Sequence, residues 1–217
     1  PDALLAIGED DRAVSFAAYR DACVRVAAGL QALGVGAGTP VTWSLPTSID
    51  AIVLEGALCR LGAQQNPVIP IYREREFGFI TRQTGARFLI VPPVFRGFAY
   101  GEMARVLAAE QAQLEAVVVD GALPEGDPAT LPPPPAATDA EHAPVRWIFY
   151  TSGTTADPKG AKHTDHTLMV HARGMADRLA LGLDSRVALA FPFTHIGGST
   201  WFASVFTHGC TLLPIAA

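Results

Sequence analysis

The sequence is poor in cysteine, in charged residues and in long apolar runs, and each shortage excludes a class of protein. The three cysteines, at wide and unpatterned spacings, indicate a reducing compartment rather than a disulfide scaffold, so we expect a cytoplasmic protein. Lysine and arginine number 16 against 21 acidic residues, which argues against a basic nucleic-acid-binding domain. Pro, Gly or a charged residue interrupts every apolar run before the roughly 18 residues of a membrane-spanning helix, so no transmembrane segment is predicted.

The composition is nevertheless that of a folding chain, since 49% of the 217 residues are hydrophobic. This length fits one large domain or a piece of a larger protein. The chain begins at Pro1 with neither an initiator Met nor a signal peptide, so we expect it to be an excerpt from a longer protein.

Helical and strand patterns alternate along the chain. Between Phe16 and Leu33 apolar residues recur every three or four positions, and Gly34 follows, which predicts a first helix. Further helices are predicted over 49–61, 74–83, 101–113, 164–181 and 199–206, and strands over 41–45, 88–91, 116–119, 145–150, 187–190 and 210–213. Strands that alternate with long helices are typical of crossover connections, so the predicted class is α/β with mostly parallel sheets and flanking helices.

A proline-rich stretch divides this pattern. Residues 120–144 hold seven of the 17 prolines, and Leu123 and Leu131 are their only aliphatic residues larger than alanine. We therefore expect an α/β subdomain over 1–119, a linker or exposed excursion over 120–144, and a continuation of the α/β domain over 145–217.

The segment from Tyr150 to Gly160 carries the strongest chemical signal. It follows an apolar strand and holds four hydroxyl side chains within five positions, two glycines and a lysine. Hydroxyl and backbone N–H groups donate hydrogen bonds to phosphate oxygens, and Lys159 adds a positive charge. An ordinary Ser/Thr-rich turn would have a similar composition. A Walker A loop is excluded because Pro158-Lys159-Gly160 stands where Gly-Lys-Ser/Thr is required.

The order of the residues is more specific than their composition. Ile148-Phe149-Tyr150-Thr151-Ser152-Gly153-Thr154-Thr155, followed by Pro158-Lys159-Gly160, resembles the phosphate loop of the adenylate-forming superfamily, which includes acyl-CoA synthetases, luciferases and peptide-synthetase adenylation domains. Ala156 departs from that pattern, where the family usually has glycine. Phe191-Pro192-Phe193-Thr194-His195-Ile196-Gly197-Gly198 resembles a second family motif beside the carboxylate-substrate pocket. The stretches 65–72 and 82–86 are most similar to CoA ligases of fatty, medium-chain or alicyclic acids.

This resemblance implies a fold, a reaction and a set of site residues. The fold is the partial N-terminal domain of an adenylate-forming enzyme. In the reaction, a carboxylic acid and ATP give an acyl-adenylate and pyrophosphate, and CoA then displaces AMP, with Mg²⁺ as cofactor. The implied phosphate-binding residues are Thr151, Ser152, Gly153, Thr154, Thr155, Lys159 and Gly160. Lys159 and His195 are the implied catalytic residues, Thr151 is a candidate Mg²⁺ ligand, and the acid is expected to bind at His195, Ile196, Gly197 and Gly198.

The same resemblance implies parts that these 217 residues lack. A Thr-Glu motif for Mg²⁺, a ribose-binding Asp and a small C-terminal domain with the adenylation lysine would follow Ala217. We therefore expect an N-terminal fragment of an acid–CoA ligase that is inactive alone. The alternative is a non-catalytic nucleotide- or acyl-binding module of the same fold, which Ala156 favours.

The acidic residues bear on the substrate. Residues 185–217 contain no Asp or Glu, so nothing there would pair with the ammonium group of an amino acid, and a mostly apolar carboxylic acid is expected instead. Aromatic and aliphatic residues around His195 agree with an apolar pocket, although plain core packing is the more frequent role of such residues. The sequence leaves a homodimer open.

Overall fold

The structure, a computed structural model, describes residues 2–151 and 157–215 and contains two sheets with helices packed against them. Its elements are β1 (Leu4–Ile7), β2 (Ala13–Ser15), α1 (Phe16–Ala32), β3 (Pro40–Trp43), α2 (Ile49–Leu61), β4 (Gln64–Pro67), α3 (Glu74–Thr84), β5 (Phe88–Val91), α4 (Tyr100–Glu110), β6 (Glu115–Val118), a 3₁₀ turn (Pro128–Thr130), β7 (Trp147–Thr151), β8 (Lys159–His163), α5 (Asp165–Arg178), β9 (Arg186–Leu189), α6 (Ile196–His208) and β10 (Thr211–Pro214).

The larger sheet has the order β6-β5-β3-β4-β7-β8, and all its neighbouring strands are parallel except the β7–β8 hairpin. The smaller sheet has the order β2-β1-β10-β9, in which only β1 and β2 are antiparallel. Both sheets combine strands from before and after the proline-rich stretch. The predicted class, α/β with mostly parallel sheets, is confirmed.

The core explains why β5 is apolar throughout. Phe88 and Ile90 belong to a cluster shared with α1, α2, α6 and the smaller sheet, whereas Leu89 and Val91 belong to a second cluster shared with α3 and α4. Alternate side chains of a strand point to opposite faces, so a central strand covered on both faces is a continuous hydrophobic run.

Helix boundaries follow the capping residues. The Ser48 hydroxyl accepts a hydrogen bond from the Ala51 N–H at 3.2 Å and begins α2. Gly62 ends α2 in the left-handed conformation with φ +70°. The helix predicted over 49–61 is thereby confirmed.

Several predicted boundaries differ from the observed ones, and two of the differences lie in the motifs. Lys159 and Gly160 were placed in a polar loop, but they begin β8, where they pair with Thr151 and Tyr150 of β7. The helix predicted over 199–206 begins earlier, at Ile196, because the His195 side chain caps it. The strands predicted over 41–45, 88–91, 116–119, 145–150, 187–190 and 210–213 correspond to β3, β5, β6, β7, β9 and β10, whereas β1, β2, β4 and β8 were not predicted.

The proline-rich stretch is mostly exposed but is attached at several points. Leu123 is buried in the larger cluster, and the Gly126 N–H donates to the Arg25 carbonyl at 2.9 Å. The Arg60 guanidinium donates to the Pro132 carbonyl at 2.7 Å. The stretch therefore runs along α1 and past the end of α2. None of the described helices is both long and apolar enough to cross a membrane.

Candidate active site

The β7–β8 hairpin carries the segment that the sequence assigned to phosphate binding. Thr151 and Lys159 face each other in register at its described end, and both are exposed. Ser152, Gly153, Thr154, Thr155 and Ala156 lie outside the described residues. Phosphate binding by the first four, together with the effect of Ala156, therefore stays a prediction.

Buried polar side chains hold β7 at this position. Asn66 on β4 donates to the Ile148 carbonyl at 2.7 Å and accepts from the Thr42 hydroxyl on β3 at 3.0 Å. Asn66 and Thr42 are almost fully buried, and the single registered pair between β4 and β7 joins Gln65 to Trp147. These hydrogen bonds supplement a short ladder, so they help to fix where the hairpin leaves the sheet.

Gly160 has a structural reason to be glycine. A Cβ there would lie 2.9 Å from Cγ2 of Ile148 and 3.1 Å from Cζ of Tyr150, both on the facing strand. The missing side chain thus lets β8 pair with β7 beneath the Tyr150 ring. This role accounts for the residue without any contact to phosphate.

His195 begins α6 and has a defined ring orientation. Its Nδ1 accepts a hydrogen bond from the Gly197 N–H at 3.1 Å, and its ring meets Phe191 edge-on at 6.2 Å between centroids. Because Nδ1 is the acceptor, the neutral ring carries its proton on Nε2. The exposed imidazole therefore offers Nε2–H as a donor beside the cavity described below.

Thr47 connects the loop that carries His195 to the larger sheet. The Thr47 hydroxyl accepts from the Phe193 N–H at 2.9 Å and donates to the Phe191 carbonyl at 3.3 Å. Thr47 follows β3 of the larger sheet, whereas the loop follows β9 of the smaller one. No signal in the sequence pointed to this residue, because the contact spans 146 positions.

Gly197 and Gly198 allow the first turn of α6 to pack closely. A Cβ on Gly198 would lie 2.6 Å from Cα of Phe193, and one on Gly197 would lie 3.0 Å from Cε2 of Phe191. The preceding loop thus occupies the space that a side chain would need at these two positions, and substrate binding there stays a prediction. Neither residue lines the cavity beside His195.

Thr151, His195 and Ile196 line one cavity of about 370 Å³. Its walls also include the two nearly buried hydroxyls of Tyr72 and Thr194, and neither has a hydrogen-bond partner among the described residues. Burial raises the pKa of the Tyr72 phenol, so it stays protonated and can donate. A buried hydroxyl without a partner is unfavourable unless a ligand or water pairs with it. Sequence reasoning assigned no role to either hydroxyl, although Thr194 stands next to His195.

Lys159 and Gly160 line a different cavity of about 410 Å³, together with Lys162. Tyr150 borders both cavities and lies between the two groups of residues. The structure therefore brings Thr151, His195 and Ile196 together but places Lys159 and Gly160 on the other side of the Tyr150 ring.

Three curated proteins illustrate what this chain is similar to. It is 32% identical over 189 residues to the phosphinothricin tripeptide synthetase PhsC of Streptomyces viridochromogenes, covering 84% of the chain and 16% of that protein. It is 31% identical to a salicyl-AMP ligase / salicyl-S-ArCP synthetase of Mycobacterium tuberculosis, covering 85% of the chain and 34% of the relative. It is 23% identical to the medium-chain fatty-acid–CoA ligase of Escherichia coli, covering 97% and 38%. The chain thus spans well under half the length of each.

Solved structures of similar fold are also longer than this chain. A long-chain-fatty-acid-CoA ligase from Archaeoglobus fulgidus superposes with a TM-score of 0.84 at 23% identity, covering 99% of this chain and 44% of that one. Residues 1–216 match the family described as AMP-binding enzyme. This match includes both motifs and the strands and helices that position them, so the chain belongs to the AMP-binding enzyme family, as an N-terminal portion of the adenylate-forming fold.

Proposed function

We propose that this chain supplies the phosphate hairpin and the acid pocket of an ATP-dependent acid–CoA ligase. The observation that carries the proposal is the cavity of about 370 Å³ in which Thr151, His195 and Ile196 meet the unpaired hydroxyls of Tyr72 and Thr194. Six of its lining residues are apolar, and its hydroxyl and imidazole groups can donate hydrogen bonds, which suits an acid with an apolar body and an anionic head.

The proposed reaction has two half-reactions. A carboxylate oxygen of the acid attacks the α-phosphorus of ATP, an acyl-adenylate forms, and pyrophosphate leaves. The thiol of CoA then attacks the acyl carbon, loses its proton and displaces AMP, which leaves a thioester. The substrates supply both nucleophiles, so the role of the protein is to position them and to stabilise developing negative charge.

Each side chain has a proposed part in this scheme. Nε2–H of His195 donates to the acid carboxylate, and the Thr194 and Tyr72 hydroxyls donate to anionic oxygens in the same cavity. Lys159, which pairs with Thr151 at the described end of the hairpin, stabilises the charge on the leaving pyrophosphate with the hydroxyls of Ser152, Thr154 and Thr155. Gly153 and Gly160 belong to the same cradle.

Thr151 is the proposed protein ligand for Mg²⁺. A hydroxyl oxygen suits this hard cation, which keeps most of its shell as water and phosphate oxygens. The described residues contain no group of three or more His, Cys, Asp or Glu side chains that could hold a metal, which fits an ion bound chiefly through ATP. When bound, Mg²⁺ supplies charge neutralisation on the phosphates.

Because the chain spans 34% and 38% of the lengths of its salicyl-AMP and fatty-acid–CoA ligase relatives, we also propose that turnover needs residues beyond these 217. The second candidate is a binding module without catalysis. Ala156 favours it: if that position needs φ > 0, a Cβ there would disfavour a loop closed on phosphate by about 1 kcal/mol or more.

Acid-dependent ATP–pyrophosphate exchange by the parent protein tests the proposal. We expect exchange with apolar acids, a loss of at least tenfold in His195→Ala because of the missing donor, and no change in the control His171→Ala, on the exposed part of α5. Mass spectrometry of the thioester then separates CoA from a carrier-protein thiol as acceptor. Nucleotide binding without exchange for any acid would favour the binding module instead.

A further inference from the structure

A second cavity, of about 200 Å³, lies between α2, α5 and α6. Its walls are mainly apolar and include Trp147, Leu168, Phe202 and Phe206. One polar group stands out among them, the carboxyl of Glu55 on α2, which is only 5% exposed. Neither motif of the sequence accounts for this cavity or for Glu55.

The Glu55 carboxyl is only half satisfied. Its Oε2 accepts a hydrogen bond from the Ser199 hydroxyl at 2.8 Å. Within the part of the chain that the structure describes, no hydrogen bond reaches Oε1 and no cation pairs with the group. Burial outweighs the Ser199 hydrogen bond and raises the pKa of Glu55 to about 8, so the group is a neutral acid at pH 7. The other carboxylate at this cavity, Asp165, is already paired, with the Trp147 indole at 2.7 Å.

The cavity shares a wall with the one beside His195. Trp147, Phe149 and Leu168 form a small cluster against which Ile196 packs, and the Trp147 and Phe149 rings stack at 6.0 Å. Phe149 and Ile196 face the cavity of His195, whereas Trp147 and Leu168 face that of Glu55. One layer of side chains therefore separates the proposed position of the acid head group from a buried carboxyl with a free oxygen.

We propose that the smaller cavity receives the distal end of the substrate acid, past Ile196, and that Glu55 selects acids that carry a neutral hydroxyl at that end. This inference rests on the proposed function and refines the expectation of a mostly apolar acid. The expectation of an apolar acid was based on the absence of acidic residues in 185–217. Glu55 lies outside that range, 144 positions before Ser199, but contacts it in the folded protein. Because Oε2 of the neutral acid accepts from Ser199, Oε1 carries the proton and can donate to the oxygen of a substrate hydroxyl, without the desolvation that an ammonium group would require.

Cys59 provides a direct readout of occupancy. It lines the same cavity and is exposed, whereas Cys23 and Cys210 are buried. Desolvation raises the pKa of the Cys59 thiol against the opposing hydrogen bond from Gln65, so labelling with methyl methanethiolsulfonate is slow and is run for longer times near pH 7, where Glu55 stays protonated. The rate at Cys59 is measured by mass spectrometry with hexanoic, octanoic, decanoic or lauric acid, or with the ω-hydroxy acid of equal length.

We expect the ω-hydroxy acid of one chain length to protect Cys59 at a concentration about tenfold lower than its unsubstituted partner. Glu55→Leu should abolish this difference in protection, and Glu55→Gln should retain part of it because the amide still hydrogen-bonds. The control Glu102→Gln, at an exposed position of α4, should leave the difference unchanged. If Glu55→Leu fails to fold, the smaller difference in Cys59 protection expected for Glu55→Gln still tests the role of Glu55.

Equal protection by both members of every pair would overturn the role of Glu55. No protection by any acid that supports pyrophosphate exchange in the parent would overturn the occupancy of this cavity. Both results leave the proposed function intact. By contrast, absence of exchange with every acid would count against the proposed function itself, so the two failures are distinguishable.

Discussion

The buried carboxyl of Glu55 makes stability depend on pH in a direction opposite to that of most carboxylates. Burial raises its pKa from 4.5 to about 8, against the smaller opposing effect of the Ser199 hydrogen bond. Between pH 4.5 and about 8, Glu55 is therefore protonated in the folded protein but ionised in the unfolded chain. The stability contribution is therefore fully present below pH 4.5 and is lost as the pH rises through 8.

The magnitude follows from the size of the shift. At about 1.4 kcal/mol per pKa unit, moving the group from 4.5 to about 8 costs on the order of 5 kcal/mol once the pH exceeds the folded-state value. Glu55→Gln removes the titration while its amide oxygen can still accept from Ser199. The free energy of unfolding of the variant, relative to that of the wild type, should thus rise by several kcal/mol from acidic to alkaline pH.

Urea unfolding of both proteins across this pH range measures the difference directly. The free energy of unfolding of the wild type should fall relative to that of Glu55→Gln as the pH rises, and Glu102→Gln should follow the wild type at every pH. Parallel profiles for the wild type and Glu55→Gln would refute the reasoning, since they would mean that Glu55 titrates alike in the folded and unfolded states.

Three further substitutions test the geometry of the site. Gly198→Ala should lower the free energy of unfolding by about 2 kcal/mol or more in urea melts, because its Cβ would meet the Phe193 backbone, whereas open Gly174→Ala should not. Thr47→Val should cost about 1–3 kcal/mol by leaving the Phe193 N–H unpaired, and an unchanged midpoint would contradict this. Lys159→Ala should leave stability within about 0.5 kcal/mol but slow pyrophosphate exchange in the parent more than Lys162→Ala does; equal rates would remove Lys159 from the proposed chemistry.

Much of the fold was predictable because burial leaves a periodic pattern. The inner strand β5 is an unbroken apolar run. Helix α2 is bounded by Ser48, whose side chain caps its first turn, and by Gly62, which adopts the left-handed conformation at its end. The edge strand β8 has no such pattern. It is exposed along nearly its whole length and carries Lys159 and Lys162, as edge strands that avoid further pairing often do.

The polar strand β4 was missed for another reason. Gln65 and Asn66 are buried, and the amide N–H groups of both side chains donate to specific partners that a periodicity argument does not see. The site shows the same division. Local motifs pointed to His195 and Thr151. By contrast, Thr47 contacts the loop that carries His195, and Glu55 contacts α6, only through pairs of positions far apart in the sequence.

The smaller sheet joins strands that lie far apart in the sequence, with Ala6 of β1 in register with Leu212 of β10. During synthesis the β1–β2 hairpin therefore leaves the ribosome long before its parallel neighbour exists. Its open edge must wait until β10 has been synthesised, and contacts so distant in sequence form slowly. For that interval the hairpin is an exposed template for wrong pairing, so this part of the molecule is where we expect chaperones to act during biogenesis.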